Sequence, residues 1–299
     1  MTQPSETTVM ITRREHAELV AMKPDHAPLA STEIAGHTLT SLISPGTELN
    51  GFYRASNFPN SPGYAAVFRV ERVGSDVQAF KIGDLALCIG RHQSYQRVEA
   101  HMAVKVPAGL PPAHAGFARL MAVAMSVLTT TAARPPEKVL ITGLGPIGNL
   151  ACQIFAGCGY EVFAADPLGW RRELLAKLSV ATIIDQQPEN DPRLVDQVSL
   201  AVDCSGHEAA ILSACKVVRQ GGEVVLIGAP WEKKTDISAH ALLHEIFYRH
   251  VHLRSGLESE LPLYPAPFRP ISFHGNLQAA LAAGGGTGAR CIVISSGKA

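Results

Sequence analysis

The sequence predicts an α/β protein in which a β-rich domain precedes a doubly wound parallel sheet of six strands. Residues up to about 115 contain segments that alternate apolar and polar positions, as half-buried strands do. From Lys138 onward, strand-like and helix-like segments alternate, which is typical of a parallel sheet covered by helices on both faces. A glycine-rich turn joins the first of those strands to the next helix.

The composition is that of a globular protein with no membrane or nucleic-acid partner. The chain has 299 residues, of which 46% are hydrophobic and 17% charged, and this length allows two domains. A formal net charge of +0 provides no general attraction to nucleic acid or anionic lipid. No apolar run is long enough to span a bilayer and the N-terminus is polar, so we predict a cytoplasmic location. The six cysteines form no CxxC pair, which favours reduced thiols.

The first domain is predicted from "AGHTLTSLIS" and "AAVFRVERVG", two strand-like segments separated by turn residues. A helix is expected from Ala113 to about Ala132. We therefore assign residues 1–115 to the β-rich domain and 116–256 to the α/β domain, with 257–299 completing the first.

The second domain requires six strands and the helices between them. The strands are predicted at 138–142, 161–165, 182–184, 200–203, 223–227 and 251–254. The helices are predicted at Ile147–Ala156, in "RRELLAKL" (171–178) and in "EAAILSACKVVRQ" (208–220). A proline-rich connector, a helix around Asn276–Ala283 and a strand "RCIVIS" follow.

The turn Gly143-Leu144-Gly145-Pro146-Ile147-Gly148 predicts a dinucleotide site of the Rossmann type. Gly143 suits a tight turn, Gly145 close approach of a pyrophosphate, and Gly148 close packing of helix on strand. The free N–H groups and the dipole at the helix start, at Pro146 and Ile147, would face the phosphates.

Asp166 ends the second strand of this unit and predicts the choice of cofactor. Its carboxylate can accept hydrogen bonds from the adenosine ribose hydroxyls and would repel a 2′-phosphate, which favours NAD over NADP. Arg171 and Arg172 lie close enough in sequence to weaken that preference. Small residues at two further strand ends are also predicted to contact the cofactor: Cys204, Ser205 and Gly206 in "DCSGH", and Gly228 and Ala229 in "LIGAP".

The order of several segments resembles the medium-chain dehydrogenase/reductases. These segments are "LISPGTEL", "PNSPGYAAVFRVERVG", "GLGPIGNLACQ", "DPLGWRRELLAKL" and "DCSGHEAAILSACKVVRQGGEVVLIG", and the resemblance extends from about Thr38 to Ile294. Within the superfamily, "ISPGTEL", "PGYAAV" and "GRHQSY" are most similar to the branch that contains bacteriochlorophyllide a dehydrogenase.

The resemblance implies a GroES-like catalytic domain, a Rossmann domain and a cleft between them. It also implies that the C-terminal strand returns to the catalytic domain and that the strand in "VHLRSG" pairs with its copy in a homodimer. Arg254, Ser255 and Gly256 match the segment that approaches the nicotinamide.

Zinc-dependent members carry metal ligands that this sequence lacks. The resemblance places their Cys at Ser44 or Pro45, and their His-Glu pair at Tyr64 and Ala65. No third Cys occurs in "FARLMAVAMS", and the four-cysteine lobe that holds a structural zinc is absent. Because a catalytic zinc needs about three protein ligands, we predict that no metal is bound.

Three residues are therefore candidates for the proton step. The resemblance places Thr47 at a hydroxyl that relays protons, Tyr64 at the position of a lost zinc ligand, and His92 at a position that often lines the substrate pocket. Thr47 is equally compatible with a structural turn residue, and Tyr64 with a core aromatic. Glu48 is expected to structure the site, and Tyr95 to pack.

The sequence thus predicts a zinc-independent oxidoreductase that transfers hydride between NAD(H) and a secondary alcohol or ketone of a biosynthetic, bulky small molecule. A quinone or enoyl reductase acting on an activated C=C bond is a second interpretation. A nucleotide-binding accessory or sensor protein without turnover is a third, because the zinc ligands are lost and the segment after Gly256 is short. That segment, "LESELPLYPAPFRPISFHG", either opens the cleft to a bulky substrate or removes part of a pocket.

Overall fold

The computed structural model describes residues 6–23, 27–267 and 271–285. These residues form two compact units. The first comprises the described residues up to Arg119 and those from Leu277, and the second runs from Leu120 to Asn276. The domain boundaries predicted from the sequence lie at 115/116 and 256/257.

The first unit is built from antiparallel strands with short helices between them. Its strands are β1 (Thr7–Arg13), β2 (His16–Ala21), β3 (Glu33–Leu42), β4 (Ala65–Arg69), β5 (Arg72–Val73), β6 (Leu85–Cys88), β7 (Tyr95–Glu99) and β8 (Ala103–Lys105). The short helices are α1 (Pro45–Glu48), continued by a π-helical turn at Leu49–Tyr53, and α2 (Pro112–Gly116). β1 and β2 form a hairpin, and the order of the main sheet is β5-β3-β4-β6-β8 with β7 paired to β3.

The core of the first unit lies between these strands. It contains Ile34, Phe68, Phe80 and alanines of β4, β6 and β8. Gly36 of β3 approaches the neighbouring strand β4 closely, because a Cβ on it would lie 1.7 Å from the Arg69 carbonyl oxygen.

The second unit begins within α3 (Ala118–Thr130) and contains a six-stranded parallel sheet with helices on both faces. Its further elements are β9 (Lys138–Thr142), α4 (Pro146–Gly157), β10 (Glu161–Ala165), α5 (Gly169–Ala176), β11 (Thr182–Ile184), β12 (Val198–Asp203), α6 (Glu208–Val217), β13 (Val218–Leu226), α7 (Ala239–Arg249) and β14 (His252–Ser255). The last helix, α8 (Phe273–Gly285), is divided between the units, because its residues up to Asn276 belong to the second unit and those from Leu277 to the first. The sheet order is β11-β10-β9-β12-β13-β14. The predicted doubly wound sheet is therefore confirmed, and its topological switch point lies between β9 and β12.

Alternate residues of the central strands bury against two helical layers. Ile141 of β9 packs with Phe155 of α4 and Leu175 of α5 on one face. Leu140, the preceding residue, packs with Cys215 of α6 and Val224 of β13 on the other. Because both faces of the sheet are buried, the sequences of these strands are continuous apolar runs and do not alternate between apolar and polar residues.

Several predicted elements differ from the observed ones. The helix expected from Ala113 to about Ala132 is two helices, α2 and α3, interrupted at Phe117. The helix expected at 208–220 ends at Val217, because Val218 is extended and buried and Gly221 has φ +72°, so the chain turns into β13. The sequence analysis missed α7. The predicted final strand, its return to the first unit and Cys291 lie outside the described residues.

The five described cysteines are unpaired thiols, and most are enclosed by the core. Cys88, Cys152 and Cys215 are buried, and burial raises the pKa of Cys88 and of Cys215 to about 12. Cys158, at the end of α4, is exposed. Within the described ranges, no helix combines the length and apolar character needed to cross a bilayer.

Candidate cofactor and active sites

The glycine-rich turn between β9 and α4 is tightly packed at two of its glycines and open at the third. Gly143 has φ +83°, which favours glycine, and an added Cβ would lie 2.8 Å from Ser205. A Cβ on Gly148 would lie 1.9 Å from the Gly143 carbonyl oxygen. Gly145 is different, because no heavy atom lies within 4 Å of its would-be Cβ, so the loop leaves open space there. The backbone at Gly145 is therefore open to close approach by a ligand such as a pyrophosphate.

The start of α4 lies beside that space. Gly145 is the extended residue before the helix, and Pro146 occupies its first turn, where its missing N–H costs nothing. Pro146 is exposed and Ile147 half-buried, whereas Gly148 is buried against the strand. The residues present therefore fit the phosphates of a dinucleotide at this end of α4.

Asp166 is tied to the glycine-rich turn. One carboxylate oxygen, Oδ2, accepts from the Leu144 backbone N–H at 2.7 Å, and Oδ1 accepts from the Leu168 N–H at 2.8 Å. The Asp166 side chain is 1% exposed. The carboxylate thus lies where the ribose of a dinucleotide is expected, but most of its acceptor positions are used within the chain.

Two arginines of α5 enclose Asp166. Arg171 Nη1 donates to Asp166 Oδ2 at 3.2 Å, and Arg172 Nη1 donates to the Asp166 carbonyl oxygen at 2.6 Å. A ribose that takes two hydrogen bonds from the carboxylate must therefore share it with Arg171 or displace that side chain.

Asp203, at the end of β12, organises the next strand end. It is fully buried, and its Oδ1 accepts from the hydroxyls of Thr142 at 2.8 Å and Ser205 at 2.6 Å. Its Oδ2 accepts from the Gly206 N–H at 2.9 Å. One carboxylate therefore links β9 to the predicted cofactor segment after β12.

The segments after β12 and β13 contact each other through backbone atoms. A Cβ on Gly206 would lie 2.6 Å from the Ala229 carbonyl oxygen, and one on Gly228 would lie 2.2 Å from the Gly206 nitrogen. Cys204 lies beneath the turn, 3.3 Å from the would-be Cβ of Gly148, and burial raises its thiol pKa far above the usual range.

The predicted nicotinamide segment follows β14. Arg254 is held to Glu223 Oε2 at 3.1 Å and to the Thr130 hydroxyl at 3.2 Å. Ser255 is exposed, and the Gly256 N–H donates to the Leu226 carbonyl oxygen at 2.8 Å. The structure therefore gives Arg254 a role in joining β14 to β13 and α3.

The three predicted catalytic residues lie at one end of the sheet in the first unit. β3 and β4 are antiparallel, with Leu42 opposite Ala65, so Thr47 follows one strand at the end where Tyr64 precedes the other. The His92 N–H donates to the Pro62 carbonyl oxygen at 3.1 Å, which brings the third residue to the same end.

Thr47 belongs to a helical turn that its neighbours close. The Ser44 N–H donates to Glu48 Oε1 at 2.8 Å, and the Glu48 N–H donates to the Ser44 carbonyl oxygen at 2.8 Å. This reciprocal pair resembles a capping box and fixes α1. The Ser44 hydroxyl lies 3.4 Å from the Thr47 hydroxyl, which is partly accessible.

His92 is buried with both ring nitrogens engaged. Nε2 lies 2.7 Å from Glu48 Oε2, and Nδ1 lies 2.8 Å from the Ser41 hydroxyl. The His92 and Glu48 side chains are 8% and 7% exposed. Through these two contacts His92 joins β3, α1 and the loop after β6.

Tyr64 lies against a buried cation. The guanidinium carbon of Arg119 is 4.2 Å from the Tyr64 ring centroid, and Arg119 is 7% exposed. Tyr64 itself is half-buried. Tyr95 is buried and packs edge-on against His37, with ring centroids 5.1 Å apart.

Exposed apolar side chains surround this end of the sheet. Ile43 follows β3, Leu49 follows α1 and Ile89 follows β6, with exposures of 61%, 40% and 53%. β3, β4 and β6 pair so that these ends coincide. The accessible surface around Thr47 is thus apolar.

The donors at this end of the sheet do not fit a zinc ion. His92 and Glu48 are hydrogen-bonded to each other. The positions of the zinc ligands in the resemblance carry Ser44 or Pro45, Tyr64 and Ala65, and the Arg119 guanidinium lies against Tyr64. Among the described residues, no three His, Cys, Asp or Glu side chains are grouped as metal ligands would be.

Sequence reasoning missed Asp203, Ser41 and Arg119. Asp203 was visible as the polar end of a buried strand, next to serine and glycine. Ser41 and Arg119 carried no signal in the sequence, because each contacts a residue that is distant along the chain. Ser41 contacts His92, 51 residues away, and Arg119 contacts Tyr64.

Comparison with known proteins finds similarity mainly in the second unit. A family model described as zinc-binding dehydrogenase matches residues 146–263. This segment is therefore similar to the zinc-binding dehydrogenases. An alcohol dehydrogenase of Geobacillus stearothermophilus is 27% identical over 211 residues, which cover 58% of this chain and 63% of that enzyme. Five other relatives are matched over only 37–43% of their length.

Solved dehydrogenase structures share the fold of this chain. Galactitol-1-phosphate dehydrogenase from Escherichia coli superposes with a TM-score of 0.78 at 15% identity, covering 93% of this chain and 88% of that one. Acetophenone reductase from Geotrichum candidum, in complex with NAD, gives 0.70 at 18% identity, covering 85% and 83%. The predicted fold, a GroES-like β-rich domain and a Rossmann domain, is confirmed. The narrower likeness to the bacteriochlorophyllide dehydrogenase branch stays a prediction.

Proposed function

We propose that the chain is a zinc-independent oxidoreductase that transfers hydride between NAD(H) and a secondary alcohol or ketone. The observation that carries the proposal is the open space over Gly145 at the start of α4, in a turn whose Leu144 N–H donates to Asp166. A biosynthetic and bulky substrate is part of the proposal, and the apolar side chains around Thr47 support it.

The second unit is proposed to bind and orient the coenzyme. The N–H groups at the start of α4 hold the pyrophosphate, Asp166 accepts from the ribose, and the segments at Ser205 and Gly228 lie against the rest of the molecule. NAD(H), when bound, supplies the hydride chemistry.

The first unit is proposed to handle the proton. Thr47 and Tyr64, both half-buried, are the two hydroxyl candidates, and the Arg119 cation beside Tyr64 favours negative charge near the phenol oxygen. Because both ring nitrogens of His92 are engaged, His92 is proposed to position α1 rather than to donate directly.

Zinc independence is proposed because the donor set does not suit the metal. Elemental analysis of unsupplemented protein should find far less than one zinc per subunit. About one tightly bound zinc per subunit would contradict this part of the proposal.

The cofactor proposal is tested by calorimetry with NADH and NADPH. NADH should bind more tightly, and Asp166→Ala should weaken NADH much more than NADPH. Equal loss for both would argue against the ribose role, and absence of binding by either coenzyme would overturn the proposed function.

A reductase for an activated C=C bond is the second candidate. It is favoured by the Arg171 guanidinium beside the ribose position, because this cation can donate hydrogen bonds to a 2′-phosphate. Preference for NADPH together with turnover of enones, but not of ketones, would select it. Coenzyme binding without turnover of any carbonyl, alcohol or enone would select an accessory or sensor role.

A further inference from the structure

Trp170 is a large aromatic side chain left in solvent beside the proposed ribose position. It lies in the first turn of α5, four residues after Asp166, and is 57% exposed. Leu168, directly before α5, is 43% exposed. Exposed apolar side chains are common on this protein, so the position of Trp170 beside Asp166, and not its exposure alone, makes it a candidate for ligand contact.

Trp170 is connected to Asp166 through Arg171. The guanidinium carbon of Arg171 lies 5.2 Å from the Trp170 ring centroid, and its Nη1 donates to Asp166 Oδ2 at 3.2 Å. Carboxylate, guanidinium and indole therefore follow one another outward from the glycine-rich turn.

One N–H group of Arg171 has no hydrogen-bond acceptor among the described residues. This group is the Nε–H, and its nitrogen is buried. A buried N–H without an acceptor is costly, so an acceptor supplied by a ligand at this place would stabilise the arrangement.

The chemistry of adenosine matches this order. The base is attached to the ribose carbon next to the one that bears the 2′-hydroxyl, so a ribose held at Asp166 places the base within reach of the adjacent side chains. Aromatic rings and guanidinium groups are the usual stacking partners of nucleobases. We propose that the indole of Trp170, with the Arg171 guanidinium, forms the surface on which the adenine base stacks.

The inference rests on the proposed function, since it assumes a dinucleotide at Asp166, but it adds the residues that recognise its base. It predicts that the ligand half containing adenosine depends on Trp170, while the nicotinamide half does not. Free ADP and reduced nicotinamide mononucleotide separate these halves.

The first test measures affinity by calorimetry. Trp170→Ala should weaken ADP and NADH about tenfold, Trp170→Phe should restore most of the loss, and reduced nicotinamide mononucleotide should bind the variants and the native protein alike. Trp231→Phe is the matched control, because Trp231 is also exposed (47%) but lies in the segment after β13. Unchanged ADP affinity in Trp170→Ala would overturn the inference.

The second test uses the fact that the chain has only two tryptophans. In Trp231→Phe, all indole emission comes from Trp170, and saturating ADP should quench or shift it. Emission that stays unchanged while calorimetry shows ADP bound would overturn the inference and leave the proposed function standing. Native protein that binds neither ADP nor NADH would instead overturn the proposed function, and this inference with it.

Discussion

At the scale of single residues, the protein places its polar side chains where they hold backbone segments together. Asp203 joins Thr142 to Ser205 and Gly206, and Glu48 joins α1 to His92. Buried carboxylates are costly unless every lone pair is used, so each one marks a place where several segments must keep their positions.

The Glu48–His92 pair should matter for turnover more than for coenzyme binding. Glu48→Gln leaves His92 without its charged partner and should lower the free energy of unfolding by about 2 kcal/mol. Since α1 carries Thr47, kcat should fall about tenfold or more. The Kd of NADH should stay unchanged, because the coenzyme residues lie in the other unit.

Glu18→Gln is the control for that experiment. Glu18 pairs with His16 in the same unit, but the two side chains are 51% and 38% exposed. Equal effects of Glu18→Gln and Glu48→Gln on kcat would contradict a positioning role.

Asp191 should make stability depend on pH in the acid range. Its hydrogen bond from the Arg193 side chain lowers the Asp191 pKa to about 2, and Asp191 is buried. A lowered pKa means that the stabilisation is complete above the unfolded value of about 3.9 and is lost as pH falls through about 2. Asp191→Asn should therefore lower the unfolding free energy at pH 7, by about 1 kcal/mol given the exposure of Arg193, and make little difference near pH 2.

Urea unfolding of both proteins at pH 7, 4 and 2 measures this dependence. A difference between native protein and Asp191→Asn that is independent of pH would show that the charge of Asp191 contributes nothing.

At the scale of elements, the second unit could be predicted closely and the first could not. The strands at 138–142, 161–165 and 182–184 have the predicted bounds, because β9, β10 and β11 are short apolar runs ended by glycine or charge. α7 was not predicted, although Leu242, Leu243, Ile246 and Phe247 follow a helical period. Three of these four side chains are exposed in the structure.

In the candidate site, too, one part could be predicted from the sequence and another could not. The glycines of the turn after β9 were predictable, since φ +83° and close approach leave glycine as the residue that fits. The burial of His92 was not, because it depends on pairing with Glu48, 44 residues away, which no local pattern encodes.

The apolar ends of β3 and β6 should determine which substrates are used. Ile43→Ser and Ile89→Ser should each raise KM for an apolar ketone about tenfold and affect a polyol substrate little, because each removes an aliphatic surface. Ile82→Ser is the control, since Ile82 is 70% exposed before β6, at the opposite end of that strand. Equal losses from Ile82→Ser would contradict a substrate role for Ile43 and Ile89.

At the scale of the whole molecule, the proposed homodimer depends on β14. Within the described residues, β14 is the last strand of its sheet and pairs only with β13, so one of its edges has unpaired backbone groups. An edge of this kind can pair with the same edge of a second copy.

Sedimentation equilibrium should give twice the 31.8 kDa mass of the chain. Leu253→Pro removes an N–H and should shift the species toward monomer, with circular dichroism used to verify the fold. A native protein that sediments as a monomer at tens of micromolar would show that the edge is left unpaired.

Among the described cysteines, the exposed Cys158 offers a site for covalent labelling. Cys158 caps α4 at the end away from the glycine-rich turn, and it is the exposed thiol among the five described. Burial raises the pKa of Cys158 as well as those of Cys88 and Cys215, so exposure is what should make Cys158 react faster with maleimides than the buried thiols. A fluorophore attached at Cys158 would therefore sit on the same helix that receives the pyrophosphate, and could report coenzyme arrival from a distance without touching it.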